Sequence, residues 1–165
     1  MPTADHETQE PPGSTLSLQL VCSTEDLPPH VDRPTLVRFF HETMKPYEDE
    51  VPDIERALDY AFSPAEGKGG YLVLASAGET LAGAVLMLHT GMAGYVPETI
   101  LLFVAVDPAR RNQGIGGRII REAVKHAPGA VKLHVEYDNP AKRLYERLGF
   151  ASKYAEMRLP QGALQ

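Results

Sequence analysis

The chain has 165 residues, of which 43% are hydrophobic, and a formal net charge of −6. This length and composition suit one folded domain with a sizeable core and exclude a disordered chain. The acidic balance argues against nucleic acid as a partner, because phosphate binding needs a basic surface, and no apolar run is long enough to cross a membrane.

Residues 1–14 are polar, acidic and contain proline, without the basic start and apolar stretch of a secretory signal. We expect flexible tails over 1–14 and 160–165, and a single domain over 15–159. Cys22 is the only cysteine, so it cannot form a disulfide within the chain. We interpret it as a small packing residue near a strand end, with a nucleophile as the alternative, and we expect a cytoplasmic protein.

The first half of the domain predicts one strand, at 16–21, and two helices. Apolar residues recur at helical spacing on either side of Pro46: Leu36, Phe39, Phe40 and Met44 before it, and Ile54, Ala57, Leu58, Ala61 and Phe62 after it. Acidic residues cluster where the second helix begins: Glu48, Asp49, Glu50, Asp53 and Glu55. They suit either the positive end of a helix dipole or a lip that attracts a cationic amine.

The middle of the chain predicts three strands. Residues 71–75 and 81–89 flank a turn at 77–79 and are typical of a hairpin. A loop at 90–97, rich in Gly and Pro, leads into 99–106, whose apolar residues are nearly continuous. Such a run favours a central strand that is buried on both faces.

The last third alternates helices and strands. A helix begins near Gly114 and ends at a Pro-Gly pair, and a strand follows at 131–135. A final helix covers 140–148 with Asn139 as its N-cap, and 150–159 can supply one or two more strands. The order predicts an α/β (mixed α+β) fold, with a central mixed sheet flanked by about four helices.

The segment between the central strand and the next helix is rich in glycine. It reads Arg111-Asn112-Gln113-Gly114-Ile115-Gly116-Gly117. Glycine lets a ligand approach the backbone, while the free N–H groups and the dipole of the first helical turn attract an anion. The segment therefore predicts a diphosphate-binding turn.

Two familiar phosphate loops do not fit this turn. A nucleoside-triphosphate loop ends in Gly-Lys-Ser/Thr, and a dinucleotide fingerprint needs a third glycine where this chain has Ile119. A glycine-rich helix start without a ligand and an unrelated nucleotide-binding domain both stay open on these residues alone.

A second motif lies on the last predicted helix. It comprises Asn139, Ala141, Leu144, Tyr145, Gly149 and Phe150. Together with Arg111, Gly114 and Gly116, which fill an Arg/Gln-x-x-Gly-x-Gly/Ala signature, it resembles the GNAT superfamily of N-acetyltransferases. The resemblance covers 100–159, and upstream only the order of elements agrees.

The resemblance implies transfer of the acetyl group of acetyl-CoA to an amine, by direct attack in a ternary complex and without a metal. The cofactor would lie in a splay between the strands 99–106 and 131–135. Backbone groups of Phe103, Val104 and Val106 would bind the pantetheine arm. The N–H groups of Arg111, Asn112, Gln113, Gly114, Ile115, Gly116 and Gly117 would bind the pyrophosphate, and Asn139 would approach the arm or act only as a cap.

The resemblance also implies catalytic roles. Tyr145 would contact the cofactor and protonate the leaving thiolate, with simple packing as the alternative. The Val104 N–H would polarise the acetyl carbonyl. Glu98, on the same side of its strand as Ile100, is the first candidate for the general base, ahead of His89, His134 and Glu136.

The acceptor pocket would be built, by the same resemblance, from 39–62 and the loop 90–97, with Tyr47, Met92 and Tyr95 lining it. The acidic lip favours a small cationic amine, with a basic peptide or protein as the alternative. A homodimer is possible through an exposed terminal strand. A catalytically inactive acyl-CoA sensor is the alternative to an enzyme, and Tyr145 argues for the enzyme.

Overall fold

A five-stranded β-sheet organises the first part of the chain. The computed structural model describes residues 15–163, so the tail predicted over 1–14 lies outside the described residues. The chain forms two compact units, and the boundary between them lies between His134 and Val135. The first contains β1 (Leu16–Val21), α1 (Arg33–Thr43), α2 (Val51–Ala61), β2 (Gly70–Ala77), β3 (Thr80–His89), β4 (Thr99–Val106), α3 (Ile115–Lys125) and β5 (Val131–Leu133). The second contains α4 (Ala141–Arg147).

The strands lie in the order β1-β2-β3-β4-β5. The pairs β1/β2, β2/β3 and β3/β4 are antiparallel, and β5 runs parallel to β4. A short turn is enough to join antiparallel strands, whereas a parallel pair needs a crossover, which α3 supplies here. The predicted mixed sheet flanked by helices is confirmed.

A β-bulge interrupts β4 at Leu102. Leu101 lies opposite Met87 and Phe103 lies opposite Leu86, so Leu102 has no partner in β3. A bulge bends its strand and increases the local twist. β5 pairs only with the three β4 residues that precede the bulge. The two parallel strands are therefore paired up to the bulge and unpaired beyond it, as the predicted splay requires.

Helices cover both faces of the sheet, because successive residues of a strand point to opposite sides. The face under α1 and α2 forms a buried cluster that includes Leu36, Phe40, Ile54, Leu58, Leu72, Leu74, Leu86 and Phe103. On the other face α3 packs over Gly83, where an added Cβ would lie 3.1 Å from Ile115 Cγ2. The Tyr71 hydroxyl donates to the Ala123 carbonyl at 2.7 Å and secures the end of α3.

The structure corrects the interpretation of Cys22 as a packing residue. Its side chain is exposed, while the preceding Val21 is fully buried. The Cys22 N–H donates to the Asp26 carboxylate at 3.0 Å, in the turn that follows β1. Val21 is the last residue of β1 and takes the inward position, whereas Cys22 already belongs to the turn outside the strand.

The second unit contains α4 close to its predicted bounds. The Asn139 Oδ1 accepts from the Ala141 N–H at 2.9 Å, so its side chain caps the helix as predicted, although the N-cap position itself is Pro140. The strands predicted within 150–159 are wrong, since residues 151–160 contain no strand. A strand needs a partner for its backbone groups, and the described part of this unit offers none.

Candidate active site

The edge of β4 beyond the bulge is the first component of the site. Within the first unit, the residues from Phe103 to Val106 pair with β3 on one side and not with β5 on the other. The Phe103 ring is anchored in the core against Phe40, with ring centroids 5.4 Å apart. N–H and C=O groups on an unpaired strand edge can bond an extended ligand. The backbone here is rigidly placed and suited to that use.

The turn after β4 has two residues in left-handed backbone conformations. Asn112 has φ 61°, and Gly114 has φ 78°. At Gly114 the conformation rather than crowding favours glycine, because an added Cβ would meet nothing within 4 Å. Asparagine is among the few other residue types that tolerate this region. Turns of this kind can form concave nests of N–H groups that bind anions.

The start of α3 is uncapped by any side chain. Its N-cap is Gly114, and the first backbone bond across it runs from the Arg118 N–H to the Gly114 carbonyl at 3.1 Å. The N–H groups of Ile115, Gly116 and Gly117 precede that bond and have no acceptor within the helix. The positive end of the helix dipole lies at the same place. These residues fit a diphosphate.

The Arg111 side chain makes two hydrogen bonds that the sequence does not predict. Its guanidinium donates to the Thr43 carbonyl at 2.7 Å and to the Val106 carbonyl at 3.4 Å. Thr43 is the last residue of α1, where carbonyl groups lack helical partners. Arg111 therefore ties the turn to α1 and β4. No local pattern could reveal this contact, because the partners are 68 positions apart.

Glu98 lies at the junction of β4 and β5. Its Oε2 accepts from the Ala130 N–H at 2.9 Å. An added Cβ at Gly129 would lie 2.5 Å from Glu98 Cδ, so glycine is what lets the carboxylate reach this turn. The Thr99 N–H donates to the Ala130 carbonyl at 3.2 Å, which closes the same junction. The base predicted first is thus held by the backbone that leads into β5.

The other base candidates lie in different surroundings. His89 ends β3 directly opposite Thr99, and its ring lies near that of Tyr71, with centroids 5.9 Å apart. His89 Nδ1 and Thr99 Oγ1 are buried without a hydrogen-bond partner in the part of the chain that the structure describes. His134 is exposed. Of the two histidines, only His89 has its ring held by packing.

In the second unit, Tyr145 is buried and its ring meets that of Phe150 edge-on, with centroids 6.0 Å apart. Burial, and secondarily the charge of Glu136, raises the pKa of Tyr145 to about 12. The Asn139 side-chain amide donates to the Glu136 carboxylate at 3.1 Å. Tyr145 therefore keeps its proton at any physiological pH, as a proton donor must.

Two residues of the acidic cluster form ion pairs with arginines. Glu55 accepts from Arg33 at 2.7 Å, and Asp53 pairs with Arg56 in the first turn of α2. The helix-dipole interpretation thus accounts for Asp53.

In the loop between β3 and β4, Met92 is 52% exposed and Tyr95 is 89% exposed.

Residues 15–163 hold neither a cluster of metal ligands nor a helix that could span a membrane. No three His, Cys, Asp or Glu side chains in that range lie close enough together to hold an ion. None of its helices combines the length and apolarity of a membrane span.

Comparison with known proteins assigns the chain to a family. The chain matches the family model described as the acetyltransferase (GNAT) family over residues 36–150. That range covers more than half of the chain and contains the turn, β4, β5 and α4. The chain therefore belongs to the GNAT acetyltransferase family, as its two motifs predicted.

One curated relative matches part of the sequence. Glucosamine 6-phosphate N-acetyltransferase 1 of Oryza sativa subsp. japonica is 32% identical over 88 residues, which are 52% of this chain and 50% of the relative. The chain thus spans half the length of that relative.

Solved structures share the fold. An aminoglycoside N-acetyltransferase in complex with CoA superimposes with a TM-score of 0.63 at 16% identity, covering 93% of this chain and 99% of that one. A transcriptional regulator from Bacillus halodurans C-125 gives a TM-score of 0.62 at 19% identity, covering 88% and 99%. At these identities the likeness establishes the fold alone.

Proposed function

We propose that the chain is an acetyl-CoA-dependent N-acetyltransferase that acts on a primary amine. The observation that carries the proposal is the uncapped, glycine-lined start of α3, which follows the β4 edge that β5 leaves unpaired. An extended arm that ends in a diphosphate can use both features, its amides on the strand edge and its phosphates on the helix start. Membership of the family supports the proposal.

The chain would hold the cofactor mainly through its backbone. Phe103, Val104 and Val106 offer strand-edge groups for the pantetheine amides. The N–H groups of 111–117 face the pyrophosphate. The hydrogen bond from Arg111 to Thr43 keeps this turn in place against α1. Asn139 caps α4 and is a further candidate contact to the arm.

Acetyl-CoA supplies an acyl group activated as a thioester. The lone pair of the amine nitrogen forms the new C–N bond, the C–S bond breaks, and the sulfur leaves with the electron pair. In our proposal Tyr145 gives its proton to that sulfur, and the Val104 N–H stabilises the charge on the carbonyl oxygen. The proton lost by the amine passes to a base, for which Glu98 is the first candidate.

Calorimetry of acetyl-CoA binding tests the proposal. Gly114→Ala places a Cβ where the ligand would lie and strains a backbone at φ 78°. We expect its affinity for acetyl-CoA to fall about tenfold or more, because the N–H groups of the turn no longer converge on the phosphates. Unchanged affinity, or no binding by the wild type, would remove the assignment.

Gly94→Ala is a matched control. Gly94 has φ 88°, and an added Cβ there also meets nothing within 4 Å, yet the residue lies in the loop between β3 and β4. Both substitutions impose the same kind of strain, so both should lose similar stability. Only Gly114→Ala should lose acetyl-CoA affinity.

A further inference from the structure

A small pocket lies at the β4 end that faces away from the diphosphate turn. Its volume is about 280 Å³, and it is lined by His89, Gly91, Met92, Ala93, Glu98 and Pro128. The pocket is slightly smaller than the range of about 300 to 1,000 Å³ in which proteins usually bind organic ligands, so it would hold only a small molecule. It belongs entirely to the first unit.

Glu98 gives this pocket its charge. One of its carboxylate oxygens is occupied by the Ala130 N–H, which fixes the side chain before any ligand arrives. The other oxygen accepts no hydrogen bond, and Glu98 forms no ion pair, within residues 15–163. A half-buried carboxylate in such surroundings favours a cation that also donates hydrogen bonds.

The remaining walls are mostly apolar. None of the six lining residues is Lys or Arg, and the side chains of Met92, Ala93 and Pro128 offer no hydrogen-bond partner for hydroxyl groups. A phosphate beside the Glu98 carboxylate would meet like charge without a compensating cation. Among the lining side chains only those of Glu98 and His89 could bond hydroxyl groups, so a sugar with several hydroxyls would lose more bonds to water than it gains.

The pocket adjoins the proposed cofactor edge along one strand. Glu98 immediately precedes β4, and the bulge at Leu102 begins the edge that β5 leaves free. At about 3.3 Å per residue the two Cα atoms lie within roughly 13 Å of each other. Glu98 thus lies on the same strand as the segment that would carry the thioester, and an acceptor held there would extend along β4 toward it.

We propose that this pocket binds the ammonium group of a small acceptor amine with an apolar carbon skeleton, and that Glu98 is the residue which selects it. The inference rests on the proposed acetyltransferase function and narrows its substrate class. It sets this chain apart from its relatives, which are named for a phosphorylated sugar amine and for aminoglycosides.

Three ring amines test the substrate class: cyclohexylamine, glucosamine and glucosamine 6-phosphate. Each carries its amine on a six-membered ring, and they differ in hydroxyls and phosphate. With CoA release as the readout, we expect kcat/KM for cyclohexylamine to exceed that for glucosamine 6-phosphate about tenfold or more. A preference for either sugar amine, or for an aminoglycoside, would overturn the inference and leave the acetyltransferase assignment standing.

Glu98→Gln tests the role of the carboxylate. Glutamine keeps an oxygen that can accept from the Ala130 N–H, so the turn before β5 should stay in place. We expect the affinity for cyclohexylamine, measured by calorimetry on the free protein and with CoA present, to fall about tenfold or more, and acetyl-CoA affinity to stay unchanged. Equal amine affinity in the two proteins, or no amine binding by the wild type, contradicts the inference. Failure of acetyl-CoA to bind would instead contradict the proposed function.

Met92→Arg adds a second variant with a matched control. Met92 is half exposed, so the fold should tolerate the change, and the new cation would repel an ammonium group in the pocket. Leu20→Arg introduces the same charge in β1, at the far edge of the sheet, on a partly exposed side chain that does not line the pocket. Cyclohexylamine affinity should fall several-fold in the first variant and less than twofold in the second; equal losses would show that the pocket is not the binding site.

Discussion

At the scale of single residues, conformation and proton affinity decide which groups can serve the site. Gly114 is required by its positive φ, and Glu98 reaches the Ala130 N–H only because residue 129 is glycine. Burial raises the pKa of Tyr145 to about 12, so this side chain is protonated at neutral pH but is a weaker acid than an exposed tyrosine. Each of these facts concerns the surroundings of a residue rather than its type.

Tyr145→Phe should lower kcat by a factor of about 10² to 10⁴, the usual contribution of a positioned acid, with acetyl-CoA affinity retained. The measurement is CoA release at saturating amine, alongside calorimetry. A variant with wild-type kcat would assign Tyr145 to packing.

The wild-type pH profile adds a second readout on Tyr145. Its pKa is raised from 10.0 to about 12, so the folded state binds the proton more tightly than the unfolded state. This contribution to stability is fully present below pH 10 and is lost as pH rises through about 12. Loss of activity on the basic side of neutrality, below pH 10, would therefore belong to another group.

At the scale of elements, the candidate site is formed by the ends of helices and strands more than by their central residues. α1 begins at an Asp32 carboxylate that accepts from the Thr35 N–H at 2.8 Å, and it ends at the Thr43 carbonyl that Arg111 contacts. The bulge in β4 and the early end of β5 together create the unpaired edge. The site is thus assembled from places where regular hydrogen bonding stops.

Asp32→Ala should lower the urea midpoint at neutral pH while leaving acetyl-CoA affinity unchanged, because it removes the cap of α1 and touches no residue of the site. Asp32→Asn keeps an acceptor oxygen and should stay close to the wild type. If both variants unfold at the same urea concentration as the wild type, the cap contributes nothing.

The stability of the wild type and that of Asp32→Asn should also respond differently to acid pH. Hydrogen bonds from Thr35 hold the pKa of Asp32 below its usual value of 3.8. A lowered folded-state pKa gives stability that is present above the unfolded value and is lost as pH falls through the folded one. The wild type should therefore lose more stability than Asp32→Asn between neutral pH and pH 3. Parallel losses in urea titrations at both pH values would contradict this role.

At the scale of the whole molecule, the burial is concentrated in the first unit. The side chains of Leu72, Leu74 and Leu86 are almost fully inaccessible at the centre of the sheet. In the second unit, Tyr154, Met157 and Leu159 are 84%, 92% and 66% exposed. Exposed apolar side chains in a segment without strand pairing are unlike a folded core.

Hydrogen exchange followed by mass spectrometry should show this contrast. Amides of β2 and β3 should exchange slowest, because they are hydrogen-bonded on both sides within the sheet. Amides of 151–159 should exchange within the shortest labelling times. Slow exchange across 151–159 in the free protein would show that these residues form the strands which the sequence predicts.

Much of the fold could be predicted because its patterns are local. Helical spacing places α1, α2 and α3. The burial of β4 on both faces that its continuous apolar run indicates is complete on one face only, because every second residue of the strand is only partly buried. The strands predicted within 150–159 are wrong, since the sequence of a segment does not show whether a partner strand is present. The packing role predicted for Cys22 is wrong because the sequence does not show that the strand ends at Val21 and that the next residue is exposed in a turn.

The sequence by itself determined the family and the order of elements, because the glycine turn and the Asn139–Phe150 motif are contiguous, and short-range geometry fixes what they form. The tertiary structure alone decided that Arg111 bonds to α1, that Glu98 is fixed by the turn before β5, and that β5 pairs with β4 only up to the bulge. These features join residues far apart in the chain. Their distances depend on how the sheet packs and twists, which no local pattern encodes.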